Sequence, residues 1–170
     1  MPGDLIIDLV RHMKAKNRRK WTGDDDERAL SKLGLRQAEI HAGAMLEGNS
    51  IVAVYSSPAL RCRQTVGPLA KRLGLSLLIE PLLAEIPRLL PVGAEHPLLA
   101  KLRDAHPDGG RIVACSHADT IPAILYSLQV RPGFGIPAVI EGFGGWYRAR
   151  IAGADVRIEH FEAPPGFPKN

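Results

Sequence analysis

Short, unbroken apolar runs recur along this 170-residue chain and alternate with segments of helical patterning. The clearest runs are 5–10, 51–55 and 111–115, with 75–79 as a fourth. A strand that is apolar on both sides must be covered on both sides, which is typical of parallel sheets. The pattern therefore predicts an α/β fold, a three-layer α/β/α sandwich with a mostly parallel central sheet.

The segments between the strands carry recognisable helix signals. Ser31 is placed to cap the first helix, and Gly74 is placed to end the second. The expected helices are 31–46, 60–73, 96–105 and 119–128, and two or three further strand-like stretches lie between 138 and 160.

No break in composition divides the chain, so we predict a single domain over residues 1–162. The segment 163–170 contains three prolines and is expected to form a flexible tail. The apolar runs of the chain are far shorter than the roughly 20 residues that span a bilayer, and no basic leader precedes the first strand. The two cysteines, Cys62 and Cys115, form no disulfide framework. We therefore expect a cytoplasmic protein without a membrane partner.

The net charge of +4 is concentrated near the start of the chain. Six basic residues lie between 11 and 20, and an acidic run follows at 24–27. Such a segment is either a solvated loop with internal ion pairs or a rim that attracts an anion to a site. Aromatic residues make up only 5% of the chain, which disfavours a base-stacking surface for nucleic acid.

Side chains that can act as acids, bases, nucleophiles or phosphate ligands follow the predicted strands. They lie at the carboxyl ends of the strands, where parallel sheets bind ligands. These residues are Arg11 and His12 after the first strand, Arg61 after the second, Glu85 after the third, and Ser116 and His117 after the fourth. Each alone has an ordinary explanation; Arg61, for example, could simply pair with Glu80. Their coincidence at one sheet edge favours a functional site.

The residue types at this edge suit phosphoryl chemistry. Arginine binds phosphate oxygens with two parallel hydrogen bonds, and a neutral imidazole can attack phosphorus to form a covalent intermediate. A glutamic acid such as Glu85 can protonate the leaving oxygen and later activate water. The sequence contains no metal-ligand spacing, no P-loop and no dinucleotide fingerprint, so no metal or other cofactor is expected.

Five motifs in this region resemble those of the histidine phosphatase superfamily, also called phosphoglycerate mutase-like. In chain order they are Leu9-Val10-Arg11-His12, Leu30-Ser31-x-x-Gly34-x-x-Gln37-Ala38, Ser56-Ser57-Pro58-x-x-Arg61-x-x-Gln64-Thr65, Leu83-x-Glu85 and Ser116-His117. The matches run from residue 5 to about 128, and their fixed order makes the resemblance specific.

The resemblance implies a role for each matched residue. His12 would be the nucleophile that becomes phosphorylated, and Glu85 would be the proton donor. The phosphate would be held by Arg11, Arg61 and His117. Further substrate contacts are expected from Lys14 and Arg18, in the basic segment just past the nucleophile, and from Ser116.

Two positions depart from the family's pattern. Met13 stands where the family usually has Gly or Ala, so it either narrows the pocket or only repacks the turn. Arg18, rather than Asn17, stands at the spacing where many members carry a phosphate-contacting asparagine.

The small size resembles the SixA-type branch, and only residues 86–116 separate Glu85 from His117, which leaves little room for a large lid. Residues 11–15 and 21–31 also resemble the histidine phosphatase domain fused to Nudix domains in MutT-like hydrolases, although the Nudix domain itself is not expected here.

The implied substrate is a nucleotide-like phosphorylated small molecule or a phosphohistidine protein. The alternatives are a phosphoglycerate mutase-type phosphotransferase and a non-catalytic module that binds a phospho-ligand or nucleic acid. The oligomeric state is left open.

Overall fold

The computed structural model describes residues 3–48, 50–85, 94–128 and 135–169. In chain order the elements are β1 Leu5–Arg11, α1 Lys32–Met45, β2 Ile51–Ser56, α2 Leu60–Leu73, β3 Leu77–Ile79, α3 Pro97–Ala105, β4 Gly110–Ser116, α4 Thr120–Leu128, β5 Trp146–Ala152 and β6 Asp155–Phe161. Single 3-10 turns occupy Arg18–Lys20, Asp25–Glu27 and Pro81–Leu83.

The strands form one sheet in the order β3-β2-β4-β1-β5-β6. The first four are parallel, whereas β5 and β6 form an antiparallel hairpin that pairs with β1. One apolar core packs α3 and α4 against one face of the sheet, and a second packs α1 and α2 against the other. The predicted three-layer sandwich with a mostly parallel sheet is therefore confirmed, and within the described residues no large lid covers the strand ends.

Local signals place the first helices as the sequence predicts. The Ser31 hydroxyl accepts a hydrogen bond from the Gly34 amide at 3.0 Å, which caps α1. Gly74 ends α2 with a φ of 66°, a conformation that glycine adopts without steric cost. Because this cap also ties the Leu75 amide to the Ala70 carbonyl, β3 begins at Leu77 rather than at residue 75.

The C-terminal segment packs against the domain over its described residues 163–169, unlike the flexible tail that the prolines suggest. Phe167 is 8% exposed and joins the core on the α1 and α2 side. The Gln37 amide donates to the Pro168 carbonyl at 2.9 Å. One buried aromatic ring and one partly buried hydrogen bond hold this segment against the domain despite its loop-like composition.

The described helices include none that is both long enough and apolar enough to cross a bilayer. Cys62 and Cys115 are free and buried. The parallel strands β1, β2 and β4 all end at one edge of the sheet. Main-chain hydrogen bonds from His12 to Ser116 and from Ser57 to Cys115, each 3.0 Å, hold the three strand ends together there.

Candidate active site

His12 follows β1 directly and lies on the wall of a cleft of about 490 Å³. Its Nδ1 is 2.8 Å from the Met13 carbonyl oxygen, which can only accept a hydrogen bond. The proton therefore sits on Nδ1, and Nε2 keeps its lone pair. Burial, with smaller contributions from the nearby His117, Arg61 and Arg11, lowers the pKa of His12 to about 3 against the opposing effect of the Met13 hydrogen bond. The imidazole is thus neutral at physiological pH, and its orientation leaves the Nε2 lone pair available.

His117 and Arg61 lie beside His12. The His12 and His117 rings meet edge to face with their centroids 5.5 Å apart. Arg61 Nη2 lies 3.4 Å from His117 Nδ1, and both side chains are almost fully buried. On the other side of the ring, the buried Ser57 hydroxyl lies 2.9 Å from His117 Nε2. This contact orients the ring so that Nδ1 faces Arg61.

Glu85 reaches the same group of side chains from the loop after β3. Its Oε1 is 3.6 Å from both Arg61 Nη2 and His117 Nδ1, and its Oε2 is 3.3 Å from Arg18 Nη2. Glu80, which could have explained Arg61 as half of a simple ion pair, bonds Lys101 instead. The structure therefore brings Glu85, and not Glu80, to the predicted phosphate pocket.

Asp25 is a site residue that the sequence reasoning missed. Its main-chain oxygen accepts from Arg61 Nη1 at 2.7 Å, and its carboxylate lies 3.2 Å from Arg61 Nη2. The same carboxylate accepts from Arg18 and Arg28 at 2.9 Å. These hydrogen bonds, Arg18 foremost, hold the pKa of Asp25 well below its usual range despite the opposing effect of burial. Asp25 therefore fixes the position of the buried Arg61 guanidinium.

Arg11 extends from the end of β1 toward the loop before β5. Its Nη1 donates to the main-chain oxygens of Ile140 and Glu141 at 2.8 and 2.6 Å. Its guanidinium carbon lies 4.3 Å from the centre of the Phe143 ring. Burial lowers the pKa of Arg11 from its ordinary value. Arg11 thus links the nucleophile to a loop more than a hundred residues away in sequence.

The other motif residues hold the loop that carries His12. Thr65 Oγ1 accepts from the Met13 amide at 2.9 Å, and Gln37 Oε1 accepts from the Lys14 amide at 3.1 Å. The Ser31 hydroxyl donates to the Lys14 carbonyl at 2.9 Å. A side chain at Gly34 would collide with that same carbonyl, so the close approach requires glycine. These residues support the site without facing it.

The two departures from the family's pattern have distinct structural outcomes. Met13 is fully buried in the core on the α1 and α2 side, so its side chain repacks the turn. Asn17 and Arg18 both line the cleft, and the Asn17 side chain accepts from the Arg19 amide at 2.9 Å.

The remaining predicted substrate contacts fall in two places. Lys14 and Arg18 line the cleft, with Arg18 held at its mouth by Asp25 and Glu85. Ser116 is fully buried, and its hydroxyl donates to the Leu83 carbonyl at 2.6 Å. In this position Ser116 holds the Glu85 loop against β4. Among the described residues, no group of three or more His, Cys, Asp or Glu side chains is arranged to bind a metal ion.

Comparison with protein families accounts for this arrangement. The model of the histidine phosphatase superfamily, branch 1, matches residues 7–88, a segment that contains Arg11, His12, Arg61 and Glu85. The chain belongs to the histidine phosphatase superfamily. Its second histidine, His117, lies beyond the matched segment but is brought to His12 by the pairing of β1 with β4.

A curated relative matches a longer segment of the chain. An 8-oxo-(d)GTP phosphatase from Mycolicibacterium smegmatis (strain ATCC 700084 / mc(2)155) is 34% identical over 118 residues, which cover 69% of this chain. The same residues cover 35% of that relative, so the chain spans about a third of its length.

Solved structures share the histidine phosphatase fold. A mycobacterial glucosyl-3-phosphoglycerate phosphatase aligns with a TM-score of 0.72 at 18% identity, covering 95% of this chain and 100% of that one. The protein histidine phosphatase SixA, solved with tungstate, aligns with a TM-score of 0.69 at 19% identity, covering 92% of this chain and 96% of that one.

Proposed function

We propose that this protein is a phosphatase that hydrolyses phosphate esters or anhydrides of nucleotide-like molecules through a phosphohistidine intermediate on His12. The observation that carries the proposal is the hydrogen bond from His12 Nδ1 to the Met13 carbonyl, which leaves the Nε2 lone pair as a nucleophile. The name of the 34% identical relative, an 8-oxo-(d)GTP phosphatase, supports a nucleotide-like substrate.

The reaction divides into two displacements. His12 Nε2 attacks phosphorus, and the bond from phosphorus to the leaving oxygen breaks. Glu85 gives the leaving oxygen a proton and then removes one from water, which attacks the phosphohistidine and breaks its P–N bond. His12 is restored, and inorganic phosphate is released.

The charges around the nucleophile suit this role. Arg61, held from behind by Asp25, and Arg11 supply fixed positive charge for the equatorial phosphoryl oxygens. His117 adds a donor directed by Ser57. Because these groups are already positioned by the protein, no metal ion is required to neutralise the phosphoryl charge.

The nucleophile can be tested directly. Wild type and His12→Ala are incubated with p-nitrophenyl phosphate in the presence of EDTA, with His106→Ala, a histidine outside the cleft lining, as the matched control. Wild type and the control should release phosphate, and His12→Ala should not. The phosphate trapped on the protein should be released by acid and retained in alkali. Protein-bound phosphate in His12→Ala would exclude the proposal.

A substrate panel separates the related functions. Nucleoside phosphates should be hydrolysed faster than a phosphohistidine protein, and neither reaction should need added metal. A mutase-type enzyme would instead transfer the phosphoryl group from His12 to a phosphorylated sugar acceptor. A binding module would hold the same ligands without releasing phosphate.

A further inference from the structure

A second concavity lies beside the cleft and has no part in the phosphoryl transfer described above. We call it the tail groove: it lies between the 137–145 loop and the C-terminal segment 163–169, over Tyr147 and His160, and its volume is about 1140 Å³. The groove and the cleft share two lining residues, Val139 and Phe143. The two spaces therefore adjoin at these two side chains, so a molecule bound in the cleft lies next to the groove.

The boundary between the two spaces is built on Arg11. Its guanidinium donates to the main-chain oxygens of Ile140 and Glu141 and stacks on the Phe143 ring at 4.3 Å. An arginine that faces the phosphate thus also fixes the loop that forms one wall of the groove. The distance from the nucleophile to the groove is set by a rigid set of contacts.

The charges of the two spaces are opposite in character. The described lining of the cleft has five cations, Arg11, Lys14, Lys16, Arg18 and Arg28, against two acids, Glu85 and Asp119. The described lining of the groove is mainly apolar, and it includes two acids, Glu141 and Glu162, against a single lysine, Lys169. Phosphate groups are favoured in the cleft, whereas the groove favours an uncharged, flat ring that can donate hydrogen bonds.

We propose that the tail groove binds the base of a purine nucleotide whose phosphate lies at His12. A base stacks on aromatic and apolar side chains, here Phe143 and its neighbours. A guanine ring presents N–H donors along one edge, which the carboxylates of Glu141 and Glu162 can accept. This assignment rests on the proposed phosphatase function, because it places the leaving group of that reaction.

Two substrates that differ only in the base test the proposal. For wild type, kcat/KM should be about tenfold or more higher for guanosine 5′-monophosphate than for ribose 5-phosphate. Ala138→Trp fills the groove from an exposed position outside the cleft lining. This substitution should lower kcat/KM for guanosine 5′-monophosphate about tenfold and should leave kcat/KM for ribose 5-phosphate within about twofold of the wild-type value. Ala154→Trp, on the exposed turn between β5 and β6, is the matched control and should change neither.

Binding of guanosine itself gives a readout that needs no chemistry. Guanosine should shift the backbone amide signals of Gly145 and Gly166 in wild type and in His12→Asn, but not in Ala138→Trp. If guanosine shifts neither amide, or if Ala138→Trp slows both esters equally, the groove assignment is refuted even though His12 phosphorylation persists. If no ester is hydrolysed while guanosine still shifts these amides, the proposed phosphatase function fails and the groove stands as a purine site.

Discussion

The protonation state of His12 is the property on which the proposed chemistry depends most directly. With the pKa of His12 lowered to about 3, about 99% of the imidazole is neutral at pH 5. An ordinary histidine with a pKa near 6.5 would be only about 3% neutral at that pH. The structure therefore predicts a roughly thirtyfold larger population of competent nucleophile under mildly acidic conditions.

The same shift affects stability. Because the folded state resists protonation of His12, the unfolded chain binds more protons as the pH falls below about 6.5. Stability is thus lost from that pH downward until the folded pKa of about 3 is reached. By pH 5 the contribution of His12 amounts to about 2 kcal/mol of unfolding free energy. In urea titrations, the unfolding free energy of wild type should fall between pH 7 and pH 5 by about 2 kcal/mol more than that of His12→Asn.

Nitrogen-15 NMR of the imidazole rings tests the reasoning at its source. The spectra should show His12 protonated on Nδ1, with Nε2 unprotonated from pH 8 down to pH 5, and the signals are assigned by their loss in His12→Asn. The same chain in concentrated urea provides the reference for an ordinary imidazole. A proton on Nε2 would refute the assigned tautomer. A titration midpoint above about 5.5 would refute the effect of burial on the pKa.

Three further substitutions test the support of the site. Asp25→Asn should lower kcat/KM for p-nitrophenyl phosphate by about tenfold, because it removes the carboxylate charge that is paired with Arg61 at 3.2 Å, whereas the neighbouring Asp26→Asn should have little effect. Gly34→Ala should destabilise the fold by at least about 1–3 kcal/mol in urea unfolding, since the added methyl group meets a main-chain carbonyl of the nucleophile loop. Phe167→Ala should lower the unfolding free energy by about 2 kcal/mol or more; an unchanged value would show that the C-terminal segment is not part of the core.

Local pattern was sufficient for the fold and for most of the site. Continuous apolar runs require cover on both faces, so the strand pattern alone predicts a parallel sheet inside a sandwich. Parallel strands end at a common edge, which is why the sequence predicts that His12, Arg61 and His117 lie together. The superfamily's ordered motifs added the roles that the residue types alone left open.

Long-range contacts could not be predicted in the same way. Asp25 is one of four consecutive acids, and only the 3-10 turn at Asp25–Glu27 determines which of them faces Arg61. Arg11 contacts carbonyls about 130 residues away, because the hairpin of β5 and β6 returns the chain to β1. Phe167 likewise lies beyond that hairpin in the chain and reaches the core on the α1 and α2 side through contacts distant in sequence.

The sequence by itself predicted the sheet and the residues grouped around His12, because periodicity and strand direction act over short stretches of chain. Only the tertiary structure decided how Arg61 and Arg11 are held and where the tail groove lies. Those features depend on side chains that meet across the fold, and their pairing is specified by the packing of whole elements rather than by neighbouring residues.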